Sequence, residues 1–403
     1  MNRDLTRGPV TKGMLLFALP MILGNLLQQF YNVADTLIVG QFLGATALAA
    51  VGSSYTLMTF LTSILLGMCM GSGAVFSIRF GEGDRARLKN SLSLSFLMIA
   101  GFTVVMNLAV FLLIDPMMGL LQVPEEVYPL MRSYLWVIFW GIGGTFLYNY
   151  FACLLRAIGN SATPLLFLGV SAVLNIALDL VFVVVVPWGV AGAAFATSLS
   201  QWVSGLGLLA FTLAKMPQLR PSRQDVRWEK DRVLEIARFS LLTCVQQSVM
   251  NFGILMVQGL VNSFGTVVMA AFAAAVKIDS FAYMPVQDFG NAFSTFIAQN
   301  YGAKRMDRVR RGIKSAAVSS VVFALLISVL VVAFAKPLLL LFIKPEETEI
   351  LAVGVQYLRI EGAFYFGIGI LFLLYGLYRA IERPGMSLVL TVISLGTRVA
   401  LAY

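Results

Sequence analysis

The chain has 403 residues, of which 59% are hydrophobic and only 12% are charged, and its formal net charge is +9. A soluble domain carries roughly 25% charged residues, so this chain has too few charges to cover a water-facing surface. Apolar stretches of about 20 residues or more, long enough to cross a bilayer as a helix, recur along it. The composition excludes an ordinary soluble domain and predicts an all-α polytopic membrane protein.

Eleven hydrophobic segments are predicted as helices. In chain order their limits are 14–40, 47–78, 91–114, 130–155, 162–186, 189–214, 237–262, 267–299, 313–343, 352–378 and 386–403. The polar, basic start MNRDLTRGPVTKG does not resemble a cleavable signal peptide, because the apolar run that follows is long enough to be a true span. Pro20, Pro164, Pro285 and the GIGG at 141–144 are expected to interrupt their helices.

Lysine and arginine are unevenly distributed between alternate loops. If the N-terminus is inside, most lysines and arginines outside the apolar segments are cytoplasmic. They lie in 3–12, 79–89, the 215–236 linker and 304–314, and at Arg156, Arg379 and Arg383. The opposite loops contain only Arg132, Lys336 and Lys344. This bias predicts a cytoplasmic N-terminus in the inner membrane of a prokaryote. The basic residues are not interleaved with exposed aromatic ones, so we expect contact with anionic lipid headgroups and no nucleic-acid partner.

Three pairs of similar stretches recur in the same order. RFGEGDRARLKNS (79–91) is similar to NYGAKRMDRVRRG (300–312), VPEE (123–126) to KPEE (344–347), and LLRAIGNSATPL (154–165) to LYRAIERPGMSL (377–388). The two members of each pair are separated by almost the same length of chain, from Gly81 to Gly302 in the first pair and from Arg156 to Arg379 in the third. The pattern predicts duplication of a six-helix unit. An even number of spans gives both units the same orientation, as in parallel-repeat transporters.

The duplication predicts the domain organisation. We expect an N-terminal six-helix lobe at 1–214, a cytoplasmic linker at 215–236 and a C-terminal lobe at 237–403. The second lobe then has only five segments, which implies that a twelfth helix is missing. The alternative is a natural eleven-span protein whose C-terminus lies outside.

The first segment carries Asp35 within its apolar sequence. Asn25, Gln28, Asn32 and Asp35 lie on one helical face, and Tyr31 stands four residues before the acid. An ionisable group at membrane depth costs about 3 kcal/mol on insertion scales, so it marks a functional site by default. The stripe is therefore predicted to face protein or water, although the amides alone would also serve as ordinary interhelical contacts.

The fifth segment supplies a second acid in VLNIALDLVFVVV (173–185). Asn175 and Asp179 are four residues apart on one face, and Thr197 on the sixth segment could add a hydroxyl. Together with Asp35 they form a hard-oxygen cluster that could hold Na⁺, or a crowded acid pair that takes up a proton. The sequence leaves these two alternatives open. The non-ionic alternative is that the polar groups only join helices by hydrogen bonds.

The repeat argues for a functional role for these acids. Asp35 aligns with Val257, Asn175 with Arg398 and Asp179 with Ala402, so the scaffold is duplicated but the acid cluster is not. A purely architectural cluster would be expected in both halves. We therefore place a cation site in the N-terminal lobe.

The second lobe carries different charges in its apolar segments. Lys277, Phe281, Met284 and Asp288 share one stripe of the eighth segment, with Asp279 off it, and Arg359, Glu361 and Arg398 lie on the tenth and eleventh segments. These residues are expected to line a substrate cavity and to pair with one another, and Asn32 and Gln28 are assigned to the same cavity. Arg359 could instead extend to the outer membrane interface.

Other chemistries find no support in the sequence. The three cysteines all lie in apolar segments and there is no histidine, so no disulfide framework or histidine metal site is expected. Walker loops, serine–histidine pairs and paired Asp-rich diphosphate motifs are absent as well. We expect no enzyme and no cofactor beyond a coupling ion. The remaining classes, a receptor or a channel, are disfavoured by two parallel six-helix repeats.

Several stretches together resemble the multidrug and toxic compound extrusion (MATE) family. They are FALPMILGNLLQQFYNVADTLIVGQFLG, RFGEGD, LLRAIGNSATPL, LNIALD and AQNYGAKR, in this order. The resemblance covers essentially the whole chain. It implies two six-helix lobes around a cleft and export of organic cations or other amphipathic compounds in exchange for Na⁺ or H⁺.

The resemblance also implies roles for individual residues. The family's acid on helix one falls on Asp35 and its tyrosine on Tyr31, its Asn-x-x-x-Asp pair on Asn175 and Asp179, and its helix-six threonine on Thr197. Some members carry a glutamate on helix seven, but LLTCVQQSVMNF here contains no acid. The chain is therefore similar to the DNA-damage-inducible protein F-like branch, whose coupling site is in the N-terminal lobe.

The sequence thus predicts a monomeric secondary antiporter that works by alternating access in a lipid bilayer. The runner-up is a flippase for lipid-linked saccharides or another lipid of the same superfamily. A flippase of this kind would need a cationic cavity for the diphosphate group, whereas the cavity candidates of the N-terminal lobe are acidic.

Overall fold

The computed structural model describes residues 4–120, 123–220 and 226–402. Fifteen α-helices run through these residues. They are α1 (Val10–Leu43), α2 (Ala45–Glu82), α3 (Arg85–Leu112), α4 (Ile114–Leu120), α5 (Tyr128–Ile138), α6 (Ile142–Ala157), α7 (Ala162–Asp179), α8 (Gly189–Lys215), α9 (Lys230–Asn262), α10 (Thr266–Gly302), α11 (Met306–Ala333), α12 (Ala335–Leu339), α13 (Thr348–Ala363), α14 (Tyr365–Ala380) and α15 (Pro384–Ala402). The all-α prediction is confirmed. Residues 221–225 of the predicted linker, and Tyr403, lie outside the described residues.

Most of these helices are long and apolar enough to cross a bilayer. Within the described residues nine helical stretches meet that condition, or ten if α13 and α14, which meet at a 49° bend, form one broken span. α9 is helical over 33 residues but is not among them. Its first turns carry charged residues, and the predicted seventh segment, 237–262, is therefore helical but does not meet the condition for a span.

Breaks in the helices agree with the predicted ones only in part. Pro20 and Pro285 lie inside the continuous helices α1 and α10, and Pro164 lies in the first turn of α7, where its missing N–H costs no hydrogen bond. The break predicted at the GIGG of 141–144 is confirmed, because a 3₁₀ turn (Phe139–Gly141) ends at its first glycine. A further break, the π-helical segment Leu180–Val185, was not predicted. The predicted segment 313–343 ends early, because the α-helix stops at Ala333 and a short helix follows.

The turns between helices repeat, which supports the duplication. Gly44 and Gly265 occupy equivalent positions of the two repeats, and both have positive φ, at 85° and 91°. Gly83 (φ 74°) corresponds in the same way to Lys304 (φ 56°). Non-glycine residues rarely adopt this left-handed conformation, so its occurrence at equivalent positions indicates a common backbone path. The predicted internal repeat is therefore visible in the local geometry.

The contacts divide the chain into two compact units. Unit 1 contains Leu23–Cys244, and unit 2 contains Asp4–Ile22 and Val245–Tyr403. This grouping differs from the predicted lobes 1–214 and 237–403, because the first parts of α1 and of α9 each belong to the other unit. The two crossing points, after Ile22 and after Cys244, lie at equivalent positions of the two repeats. The predicted boundaries of the two lobes, at 214 and 237, therefore stay a prediction.

In unit 1 the first half of α9 packs closely on α2. A Cβ atom on Gly71 would lie 2.3 Å from the carbonyl oxygen of Phe239, and one on Gly67 would lie 2.6 Å from the Cα of Cys244. The hydroxyls of Ser72 and Ser240 are hydrogen-bonded at 2.9 Å. Only glycine allows the two backbones to approach this closely, so these positions attach α9 to unit 1.

In unit 2 the segment that leads into α1 is held mainly by Arg308, with one further hydrogen bond from Arg305 to the Thr6 carbonyl at 3.1 Å. Arg308 donates to the carbonyl oxygens of Leu5 at 3.1 Å, Arg7 at 3.2 Å and Gly8 at 2.8 Å. Asn300 also donates to the Leu5 carbonyl, at 3.1 Å. The fork of N–H donors on a guanidinium suits several carbonyls at once, so residues 5–8 are fixed to unit 2.

Candidate cation-binding site

The second half of α1 lies against α7 in unit 1. Ideal Cβ atoms on Gly24 and Gly169 would be 3.6 Å from a Leu168 methyl and 3.7 Å from a Leu27 methyl, which is ordinary van der Waals contact. Small residues on both helices therefore allow close packing. This packing brings Asp35 of α1 next to Asp179 of α7, with their carboxyl groups within hydrogen-bonding range of each other if one carries a proton.

Asn175 and Asp179 lie on the buried face of α7, as predicted. Asn175 is 2% exposed, and its side-chain amide donates to the hydroxyl oxygen of Thr197 on α8 at 3.2 Å. Asp179 is fully buried and is the last α-helical residue before the π-helical segment Leu180–Val185. π-helical turns inside α-helices are frequent at functional sites, because they re-aim side chains. The structure thus brings Asp35, Asn175, Asp179 and Thr197 together.

The oxygen atoms of this cluster have few donors. Among the described residues no hydrogen-bond donor reaches the buried Oδ1 atoms of Asp35 and Asn175 or either carboxylate oxygen of Asp179. Buried polar atoms are normally paired, so such a group of acceptors is suited to a cation or a proton. Hard oxygen ligands suit an alkali or alkaline-earth cation. In the described part of the chain no three His, Cys, Asp or Glu residues form a metal-binding group.

Two adjacent carboxylates in a water-poor site repel each other when both are ionised. Because the repulsion acts in low dielectric, it is much stronger than in water. One monovalent cation or one proton between Asp35 and Asp179 relieves it. The site is therefore chemically suited to being charged when empty and neutralised when loaded, which both sequence-based alternatives require.

The remaining residues of the α1 stripe surround Asp35 less closely. Tyr31 interacts with Asp35 electrostatically and is hydrogen-bonded to the side chain of Gln28. Gln28 is exposed in the isolated protein and Asn32 is half-buried. The backbone carbonyl of Asn32 accepts from the hydroxyl of Thr36 at 2.8 Å. Assignment of Gln28 and Asn32 to a substrate cavity stays a prediction.

Sequence reasoning missed one residue of the site. Tyr134 on α5 is 7% exposed and interacts with Asp35, Asp179 and Tyr31. The repeat contained a signal for it: SYLWV (133–137) is similar to QYLRI (356–360), which places Tyr134 and Tyr357 at nearly equivalent positions. Tyr134 is therefore a neighbour of the acid pair that comes from a further helix.

In unit 2 the predicted cavity residues of α10 do not form one cluster. Lys277 has its ammonium 5.9 Å from the centre of the Phe342 ring, Met284 is half-buried and Asp288 is buried. Glu361 lies beside Asp279 and Arg398 instead. Asp279 is two residues after Lys277, so its side chain lies about 200° around the helix from that of Lys277, on the buried face of α10. Glu361 and Arg398, two of the charged residues predicted to pair with one another, lie 3.7 Å apart.

Comparison with known proteins identifies the family. The family model described as MatE matches residues 20–181 and again residues 242–403. The two matches have the same length and lie at equivalent positions of the two repeats, so the model recognises each repeat separately. The chain belongs to the MATE family. MATE proteins are transporters, so this chain is a multi-pass membrane transporter and not an enzyme.

Relatives of this MATE transporter include several bacterial proteins. A probable multidrug resistance protein of Bacillus subtilis, YpnP, is 32% identical over 400 residues, which cover 97% of this chain and 87% of the relative. The probable multidrug resistance protein NorM of Thermotoga maritima is 26% identical, over 96% of this chain and 84% of the relative. The solved outward-facing structure of a multidrug resistance MATE transporter has a TM-score of 0.92 at 23% identity, covering 99% of this chain and 89% of that one. This last similarity supports the fold.

Proposed function

We propose that this MATE transporter is an antiporter that exports amphipathic or cationic compounds in exchange for Na⁺ or H⁺. The observation that carries the proposal is the pair of adjacent carboxyl groups of Asp35 and Asp179, whose buried oxygens lack donors among the described residues. The names of the relatives, multidrug resistance proteins, support the substrate class. The transporter is expected to act as a monomer with a cytoplasmic N-terminus.

The coupling follows from one requirement. An ion changes the conformational equilibrium of a transporter only if it binds one conformation more tightly than the other. Asp35 lies on α1 and Asp179 at the junction of α7 with a π-helical segment. Loading the acid pair changes the repulsion between these two helices, so it favours the conformation in which they are closest. Exported compounds that prefer the other conformation are then released when the ion binds.

The test uses everted membrane vesicles that contain the protein and a fluorescent lipophilic cation. A Na⁺ gradient and a pH gradient are imposed separately, and the wild type is compared with Asp35→Asn and Asp179→Asn. Both substitutions keep the side-chain shape but remove one charge of the pair. The control is Asp307→Asn, because Asp307 is an exposed carboxylate at the start of α11.

We expect one gradient to drive efflux by the wild type and by the control, and neither gradient to drive it in the two pair variants. The productive gradient then identifies the ion. Normal gradient-driven efflux by Asp35→Asn and Asp179→Asn would contradict the assignment of the pair. The acid pair also disfavours the flippase alternative, since two carboxylates repel the diphosphate group of a polyprenyl lipid.

A further inference from the structure

Unit 2 contains a second buried carboxyl pair, formed by residues that the cation site does not use. Asp279 on α10 is 5% exposed, and Oδ1 of its carboxylate accepts a hydrogen bond from the hydroxyl of Tyr365. The carboxyl group of Glu361 on α13 is adjacent to it. Since α10 and α13 are both part of unit 2, this cluster is complete within one unit.

The cation that accompanies this pair is only loosely held. The guanidinium of Arg398 on α15 approaches Oε1 of Glu361 no closer than 3.7 Å, and its side chain is 47% exposed. The second oxygen of Glu361, Oε2, is buried and has no hydrogen-bond partner within the described residues. A well-formed pair of this type has N–O distances of about 2.7–2.9 Å, so Arg398 does not satisfy Glu361. The carboxylate remains available to another cation.

Aromatic rings form part of the surroundings of Glu361. Tyr357, one helical turn before Glu361 on α13, interacts with its carboxylate. The ring of Phe272 packs edge-on against Tyr357, with centroids 5.3 Å apart and an interplanar angle of 73°. The hydroxyl of Tyr357 interacts with the carboxylate, and the two rings add apolar surface beside it. Such surroundings suit cations that are too large and too weakly hydrated to bind among oxygen atoms alone. An organic ammonium or phosphonium group has these properties.

The repeat shows that this is not a copy of the site in unit 1. Tyr357 corresponds to Tyr134, and each tyrosine faces an acid pair in its own unit. The carboxylates, however, come from non-equivalent helices: α1 and α7 in unit 1, α10 and α13 in unit 2. Both clusters have tyrosine neighbours, but only the unit 2 cluster has its own guanidinium, that of Arg398. The two clusters are therefore suited to different cations.

We propose that the Asp279–Glu361 pair of unit 2 is a subsite for the cationic group of an exported organic compound, and that Arg398 is the internal cation that this group displaces. The inference rests on the proposed export function and assigns a substrate-binding role to unit 2. Arg398 keeps the carboxylates partly neutralised in the absence of substrate. Its long side chain is nearly half exposed, so it can move aside without opening the core.

The experiment measures binding of radiolabelled tetraphenylphosphonium to the purified protein by equilibrium dialysis. Arg398→Gln removes the competing cation, and Glu361→Gln removes the charge that the probe would contact. The matched control is Lys277→Gln, which also removes one positive charge from unit 2 but at a side chain that lies against Phe342. Thermal denaturation of each variant checks folding, and Arg398→Gln carries the test if Glu361→Gln does not fold.

We expect Arg398→Gln to tighten binding about fivefold and Glu361→Gln to weaken it about tenfold, with Lys277→Gln unchanged. Unchanged affinity in Arg398→Gln would overturn the subsite, and so would equal tightening by Lys277→Gln, because a general charge effect would then explain the result. If the wild type exports the probe but either of these two contradicting results is obtained, the export function stands and only the subsite is wrong. If the wild type neither binds nor exports it, the export of cations is wrong as well.

Discussion

Replacing Gly71 with alanine should destabilise unit 1 by a predictable amount. The new Cβ atom would lie 2.3 Å from the carbonyl oxygen of Phe239, 2.6 Å from its carbon and 2.7 Å from the Cα of Ser240, whereas ordinary contacts are 3.4–4 Å. All three neighbours are backbone atoms, so no side chain can rotate away. The first half of α9 would have to move from α2 by about 1 Å.

The free-energy cost has two parts. Overpacking of this kind costs about 2 kcal/mol. The displacement also stretches the hydrogen bond between Ser72 and Ser240, which is 2.9 Å long and buried and contributes about 1 kcal/mol. The sum is roughly 3 kcal/mol, which corresponds to a fall of about 6 °C or more in the apparent Tm.

Thermal unfolding of the detergent-solubilised protein, followed by intrinsic fluorescence and by size-exclusion chromatography, measures this shift. The matched control is Gly52→Ala on the same helix, where a Cβ atom would meet nothing within 4 Å. Its Tm should stay the same or rise slightly, since alanine favours helix over glycine by about 1 kcal/mol. Equal Tm values for Gly71→Ala and the wild type would refute the close approach of α9 to α2, and with it the placement of this half-helix in unit 1.

Three further predictions concern other parts of the chain. Tyr134→Phe should weaken the affinity for the coupling ion by about tenfold, because a neighbour of the acid pair loses its hydroxyl. The half-saturating ion concentration for transport in vesicles measures this affinity. The control Tyr150→Phe should leave it unchanged, because the hydroxyl of Tyr150 donates to the Leu92 carbonyl and not to the acid pair. Arg308→Lys should speed amide exchange of residues 5–22, because Arg308 reaches the three carbonyls from two guanidinium nitrogens and the single nitrogen of an ammonium cannot span them. Exposed Arg310→Lys should leave exchange unchanged, and equal rates in both variants would contradict the role of Arg308. Hydrogen bonds from Arg132 and Tyr128 lower the pKa of the Asp115 carboxyl, so their stabilising effect is present above about pH 4 and is lost as pH falls through the folded-state pKa. Arg132→Gln should raise the pKa of Asp115 in an NMR titration, and an unchanged pKa would show that the pair does not persist in solution.

Much of the cation site could be predicted because its residues are related by local periodicity. Asn175 and Asp179 are one helical turn apart, so any α-helix places them on one face. Asp35 stands out because a carboxylate in an apolar segment is costly. The proximity of Asp35 to Asp179 does not follow from local periodicity, since it depends on contact between α1 and α7. Resemblance to a family was the sequence evidence that placed both acids in one site.

Residues outside these local patterns were harder to assign. Tyr134 is an apolar-looking aromatic residue at an ordinary helical position, and only its place in the repeat distinguishes it. Asp279 lies off the stripe formed by Lys277 and Asp288, so the stripe did not indicate a role for it. It lies on the buried side of α10, where it is next to Glu361. A helical stripe shows which residues share a face, but not which face lies inside.

By itself, the sequence determined the helical membrane class, the duplication and the positions of the acids on their helices. All three follow from local physics: apolar length, repeated turn chemistry and the period of the α-helix. Only the tertiary structure decided that α1 and α9 each divide between the units, that a π-helical segment follows Asp179, and that a second acid pair forms in unit 2. These features arise from packing between helices that are distant in the chain, and no local period encodes which distant surfaces will meet.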